Sequence, residues 1–146
     1  MFKHILVPVD GSDTSMKAVA RAAALAQVFG SDITLLYVID PYPFTGVGAD
    51  FAYGQAQYLT AANAEASTAL DAARDAVTAA GVAKVETVVG EGHTVHEGVV
   101  AGVQRIGAGL VVRGSGGRRG IEKLVLGSVT QRVLGVVKVP ILVVRD

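Results

Sequence analysis

Short apolar runs that barely alternate are the feature that most constrains this chain. Ile5 to Val9, Ile33 to Ile39, Leu110 to Val112 and Ile141 to Val144 are runs of mostly branched aliphatic residues, the pattern of strands buried on both faces. Val82 to Val89 reads as a fifth strand with more alternation. Strands buried on both faces need helices on both sides, and helical periodicity lies between these runs. Ala18, Val19, Ala22, Leu25, Ala26 and Phe29 recur at that spacing, as do Leu59, Ala62, Ala66, Ala69, Leu70, Ala73, Ala76 and Val77. Val99, Val100, Val103 and Ile106 form a third stripe, and Val129, Val133, Leu134 and Val137 a fourth. Such regular alternation implies parallel strands joined by right-handed crossovers, an α/β domain built as a three-layer open sheet with helices on both faces.

The punctuation agrees. Gly11 in Asp10-Gly11-Ser12-Asp13 permits a tight turn, and Ser12 or Asp13 caps the first helix, which Gly30 ends. Asp40-Pro41-Tyr42-Pro43 closes the second strand, since proline cannot continue a ladder. From Pro41 to Tyr58 the composition turns to Gly, Pro and aromatics, with five of the eight aromatic residues of the chain. This stretch reads as a surface loop, either packing over the sheet edge or serving as a lid or partner surface. The long alanine-rich helix follows over Leu59 to Ala80, with Gly81 as its cap. Thr94 and Glu97 have capping-box spacing and open the third helix, Gly127-Ser128 opens the fourth, and Pro140 precedes the last strand.

The 146 residues suit one domain, residues 1–146, with 51% hydrophobic and 18% charged content. No apolar run reaches the roughly 18 residues of a membrane span. Thirteen basic and thirteen acidic residues cancel, so no overall charge points to nucleic acid or an anionic membrane. Absence of cysteine removes disulfide and thiolate chemistry. With a start that leads straight into a strand, this favours the cytoplasm.

Chemistry concentrates between Arg113 and Val129. Glycines at 114, 116, 117 and 120 let the backbone approach a ligand closely. Gly127-Ser128 then opens a helix whose first amides are free to bind an anion, a physical recipe for holding phosphate. In open α/β sheets ligands sit beyond the carboxyl ends of strands, where the strand order reverses. Asp10 follows the first strand and Gly114 the fourth, so both lie at that edge if those strands are neighbours.

With these residues in view, the chain resembles the universal stress protein family along essentially its whole length. Gly114, two residues, Gly117, nine residues and then Gly127-Ser128 match the pattern of the family's ATP-binding branch. Ile5-Leu6-Val7-Pro8-Val9-Asp10-Gly11-Ser12 and Val139-Pro140-Ile141-Leu142-Val143-Val144 look like its two ends. The resemblance implies strand order 3-2-1-4-5, with ATP, ADP or AMP across the ends of strands one and four. It places Asp10 on the ribose or a bound Mg2+, and the backbone around Pro8 and Val38 against adenine. Gly114, Gly116 and Gly117 would approach sugar and phosphates, while Gly127, Ser128 and Val129 would hold the triphosphate. It also implies a homodimer through the edge strand Ile141 to Val144, which would otherwise be an aggregation hazard.

Three positions depart from the family pattern: Gly109, Arg113 and Gly116. Arg113 matters most. A fixed cation beside a phosphate or an adenine face would add binding, whereas a guanidinium turned into the core is costly unless paired.

The function expected is an ATP-binding stress-response regulator acting as a nucleotide-dependent homodimer, read by a protein partner. It is not expected to be a dedicated enzyme, slow ATP hydrolysis or self-phosphorylation apart, because Asp10 is the only carboxylate assigned to the site. The alternatives are a nucleotide-free scaffold binding protein through residues 41–58, or a weak ATPase of the adenine-nucleotide hydrolase-like fold. His93, His96 and Glu97 are explained better by the helix start than by a metal site. Ser115 lacks a nucleophile-elbow context, and the Walker and Rossmann glycine patterns are absent.

Overall fold

The computed structural model describes residues 1–41, 49–115, 132–133 and 135–145. Five strands, β1 (His4–Pro8), β2 (Asp32–Ile39), β3 (Val85–Glu91), β4 (Leu110–Gly114) and β5 (Ile141–Val144), form one sheet in the order β3-β2-β1-β4-β5. Every pairing is parallel: Ile5 lies opposite Ile33 on one side and Leu110 on the other, Leu36 opposite Val88, and Val112 opposite Leu142. The helices are α1 (Asp13–Phe29), α2 (Ala49–Ala79) and α3 (Val95–Ile106), with further helical residues at 132–133 and 135–136. The α/β architecture and the strand order are those expected. Among the described residues no helix is long and apolar enough to cross a membrane.

Strand alternation divides the core between the two faces of the sheet. Ile5, Val7, Ile33, Leu35, Leu110 and Val112 face α1 and α2, where Ala18, Ala22, Ala66 and Ala73 bring the helices close. Leu6, Leu36 and Val111 face the other way, toward Val99 of α3 and toward Val133. Each helix stops where its cap requires. Ser12 caps α1, its Oγ accepting from Ser15 N, and Gly30 ends it in the left-handed region at φ 67°. Thr94 caps α3, accepting from Glu97 N.

Four boundaries differ from the sequence reading. Helix α2 begins at Ala49 rather than Leu59, so 49–58 is helix and not loop. Its first turns are tied back to the end of β2, where Tyr58 donates to the Asp40 carbonyl at 3.0 Å and Gln55 to the Pro41 carbonyl at 3.1 Å. Residues 42–48, the remainder of that stretch, lie outside the described residues. Strand β3 starts at Val85 instead of Val82, because Val82 N donates to Val77 O and its buried side chain closes the end of α2. At its other end β3 runs on to Glu91, opposite Ile39. Strand β4 continues through Arg113 and Gly114, which pair with Val143 and Val144. On α2 the expected stripe is inward except for Ala76, which is exposed.

Candidate functional site at the strand ends

Strands β1 and β4 are neighbours in the sheet. After β1 the chain turns into α1 on one face, whereas Val133, beyond β4, packs with Leu6 and Val111 on the other. Chain on opposite faces beside two neighbouring strands is the topology of a switch point, where open α/β sheets take their ligands.

The turn after β1 is held by its own side chains. Gly11 has φ 83°, and Ser12 N donates to Asp10 Oδ1 at 2.9 Å. Asp10 N donates to Ser15 Oγ at 3.4 Å, and Ser15 Oγ donates to the Ser12 carbonyl at 2.9 Å. The turn therefore presents Asp10 at a set place beside the end of β4. Ser15, nearly fully buried, was missed in the sequence because only Ser12 and Asp13 stand at cap positions.

Arg113 is the charged residue buried at this edge, 8% exposed. Its Nε donates to the Gly114 carbonyl at 3.1 Å, and its buried Nη1 has no hydrogen-bond partner among the described residues. Burial holds the guanidinium pKa below its ordinary value, and the Asp10 carboxylate pulls it part of the way back. Asp10 and Arg113 thus stand at the same ends of two adjacent strands, near enough to feel each other's charge. Pro8 closes β1 opposite Leu36, and Val38 lies two residues further along β2.

Two glycines bring neighbouring elements to this edge. A Cβ on Gly114 would lie 2.6 Å from Thr14 Cγ2 and 3.0 Å from the Thr14 carbonyl oxygen. The missing side chain of Gly114 is therefore used by the first turn of α1, a packing role its sequence context did not reveal. A Cβ on Gly98 would lie 2.5 Å from Val38 Cγ2, so α3 reaches the end of β2 only because residue 98 is glycine. Gly116, Gly117, Gly127, Ser128 and Val129 lie outside the described residues.

The sequence profile of the universal stress protein family matches residues 1–145. The chain belongs to the universal stress protein family. A universal stress protein of Methanocaldococcus jannaschii is 33% identical over 145 residues, covering 99% of this chain and 83% of the relative. Among solved structures, universal stress protein UspA from Lactobacillus plantarum superposes with TM-score 0.86 at 24% identity, covering 99% of this chain and 98% of its own. A universal stress protein solved in complex with cAMP superposes with TM-score 0.75 at 29% identity, covering 98% and 97%. Within this family fold, a buried orphan guanidinium donor beside the sheet edge suits an anionic ligand group. A divalent cation is matched less well. Asp10 Oδ1 already accepts from Ser12 N, the guanidinium of Arg113 is its charged neighbour, and no group of three or more His, Cys, Asp or Glu converges among the described residues.

Proposed function

We propose that this universal stress protein is a nucleotide-dependent regulator: it binds an adenine nucleotide, ATP in the first instance, across the carboxyl ends of β1 and β4. The observation that carries the reading is a buried Arg113 with an unpaired donor among the described residues, at the same end of the neighbouring strands as Asp10. Pro8 and Val38 line the same edge on the side proposed for adenine. Gly116, Gly117, Gly127, Ser128 and Val129 follow in the sequence as the phosphate cradle. Support comes from the cAMP complex of a relative, which is a property of that protein. The reading extends to a cytoplasmic homodimer. Strand β5 pairs with β4 on one side, and its Leu142 is 39% exposed, so Ile141 to Val144 offers an edge to a second copy. A protein partner would read the nucleotide-dependent surface. Dedicated catalysis is not part of the proposal.

Calorimetric titration of nucleotide-stripped protein with ATP and magnesium tests the reading, with micromolar-range binding at about one nucleotide per chain as the expected result. Gly117→Val places a Cβ and two methyls where phosphate would approach, and should abolish binding while the domain stays folded. Unchanged affinity in a folded Gly117→Val protein would remove the cradle.

A further inference from the structure

Arg113 leaves something unexplained by the fold. A guanidinium carries five N–H donors and stays charged at any pH a protein meets. Here it is 8% exposed, Nε is spent on the neighbouring Gly114 carbonyl, and Nη1 is buried without a hydrogen-bond partner among the described residues. Asp10 attracts it but does not complete it: one carboxylate oxygen of Asp10 is occupied by Ser12 N, and Nη1 is left over. A buried donor without an acceptor is a standing cost that an incoming anionic oxygen relieves. The place is also specific. Arg113 is the penultimate residue of β4, next to the turn that presents Asp10 at the end of β1.

We propose that Arg113 is the resident cation of this site: it takes an oxygen of the phosphate nearest the sugar and stands in for a divalent metal at Asp10, so that this chain binds nucleoside monophosphates without magnesium. The inference rests on the nucleotide-binding reading above. A metal at Asp10 would sit beside the positive guanidinium, compete with it for the same carboxylate, and find no cluster of protein ligands among the described residues. Arg113 has none of these difficulties, because it is part of the strand and needs no ligand shell. A planar guanidinium also grips phosphate oxygens with geometric preference, which an ion does not. The phosphate it serves is the one adjoining the sugar, whose expected contact is Asp10 itself. Distal phosphates of a triphosphate gain nothing from it.

The test is titration of the stripped, full-length protein with AMP and with adenosine, each in EDTA and in excess magnesium, for the native chain and for Arg113→Met. Native protein should bind AMP equally in both buffers, within about twofold, and about tenfold or more tighter than adenosine. Arg113→Met should keep its adenosine affinity and bring the ratio of AMP to adenosine affinity close to one. A loss of about tenfold or more for AMP in EDTA would overturn the proposal, as would an unchanged ratio in Arg113→Met. If Arg113→Met fails to fold, the two buffers on the native chain still decide. Equal affinity of native protein for AMP and adenosine would sink this inference and leave nucleotide binding standing. No binding of either would sink this inference, and the titration with ATP and magnesium would then decide the nucleotide-binding reading on its own.

Discussion

The start of β2 and the end of β4 hold charged side chains under opposite conditions. At the strand starts, His4 Nδ1 lies 3.6 Å and Lys84 Nζ 3.7 Å from the same oxygen of Asp32, with side chains 36% to 64% exposed. Water and salt screen such pairs, and each contributes about 0–1 kcal/mol. At the strand ends, Arg113 is 8% exposed, is pulled on by Asp10 and keeps an orphan donor. There desolvation outweighs the attraction of Asp10, and among the described residues no acceptor meets Nη1. The backbone differs as well: at the ends, Gly114 and Gly98 let α1 and α3 close on β4 and β2 at distances that no side chain would permit. An exposed pair also stands at the strand ends, His93 Nδ1 lying 3.8 Å from Asp40 Oδ1, so it is the buried guanidinium that sets the end of β4 apart. Tight packing around a partly compensated charge with an unpaired donor among the described residues suits a place that takes a ligand.

The largest effect should come from filling that tight packing. Gly114→Val would drive a Cβ to 2.6 Å from Thr14 Cγ2 and 3.0 Å from backbone oxygen, and a rigid first turn of α1 cannot step aside. We expect a loss of about 3 kcal/mol or more in denaturant unfolding. Gly98→Val should follow at about 1–3 kcal/mol, because its clash is with the Val38 side chain and not with backbone. If Gly114→Val unfolds within about 1 kcal/mol of the native chain, the strand ends are looser than described and the comparison loses one of its two sides.

These glycines also mark where the sequence was legible and where it was not. Continuous apolar runs predicted β1, β2, β4 and β5, since residues buried on both faces need no alternation; the caps at Ser12, Gly30 and Thr94 came from residue types with a direct mechanism. The stretch 49–58 misled, because glycine and aromatic composition suggested a loop while Ala52, Gln55, Ala56 and Gln57 favour helix and long-range bonds to Asp40 and Pro41 fix it. Asp10 and Arg113 were each legible as candidates. Their charge coupling depended on β1 and β4 being neighbours, which spacing alone does not reveal. Gly114 was read toward a ligand, whereas its closest demand comes from Thr14, 100 residues earlier in the chain. A packing partner so distant leaves no local signal.

Arg113→Met should act in the opposite direction. A base whose pKa is held down by burial is destabilised in its charged form on folding, so at neutral pH the native protein carries that cost. Replacing the guanidinium with an apolar side chain of similar length removes it, at the expense of the attraction to Asp10. We expect the unliganded variant to be more stable by about 1–2 kcal/mol, seen as a raised thermal midpoint. A lowered midpoint would mean that Asp10 already compensates Arg113, and that the strand ends hold a structural ion pair like those at the starts.

Asp32→Asn should give the smallest effect of all and thereby test the other end. Asp32 is partly in water and serves two exposed partners, so neutralising it should change stability by less than about 1 kcal/mol, and by less still in high salt. It should leave nucleotide affinity alone. Strand β2 runs from Asp32 to Ile39, and at about 3.3 Å per residue its start lies about 20 Å from the proposed site, beyond the Debye length at physiological salt. A shift in affinity from this substitution would show that the starts of the strands contribute to the field at their ends, and the division of labour along the sheet would then have to be given up. If instead affinity holds while Arg113→Met alters it, the burial of a charge, and not its mere presence on the sheet, is what makes one end of this fold a site.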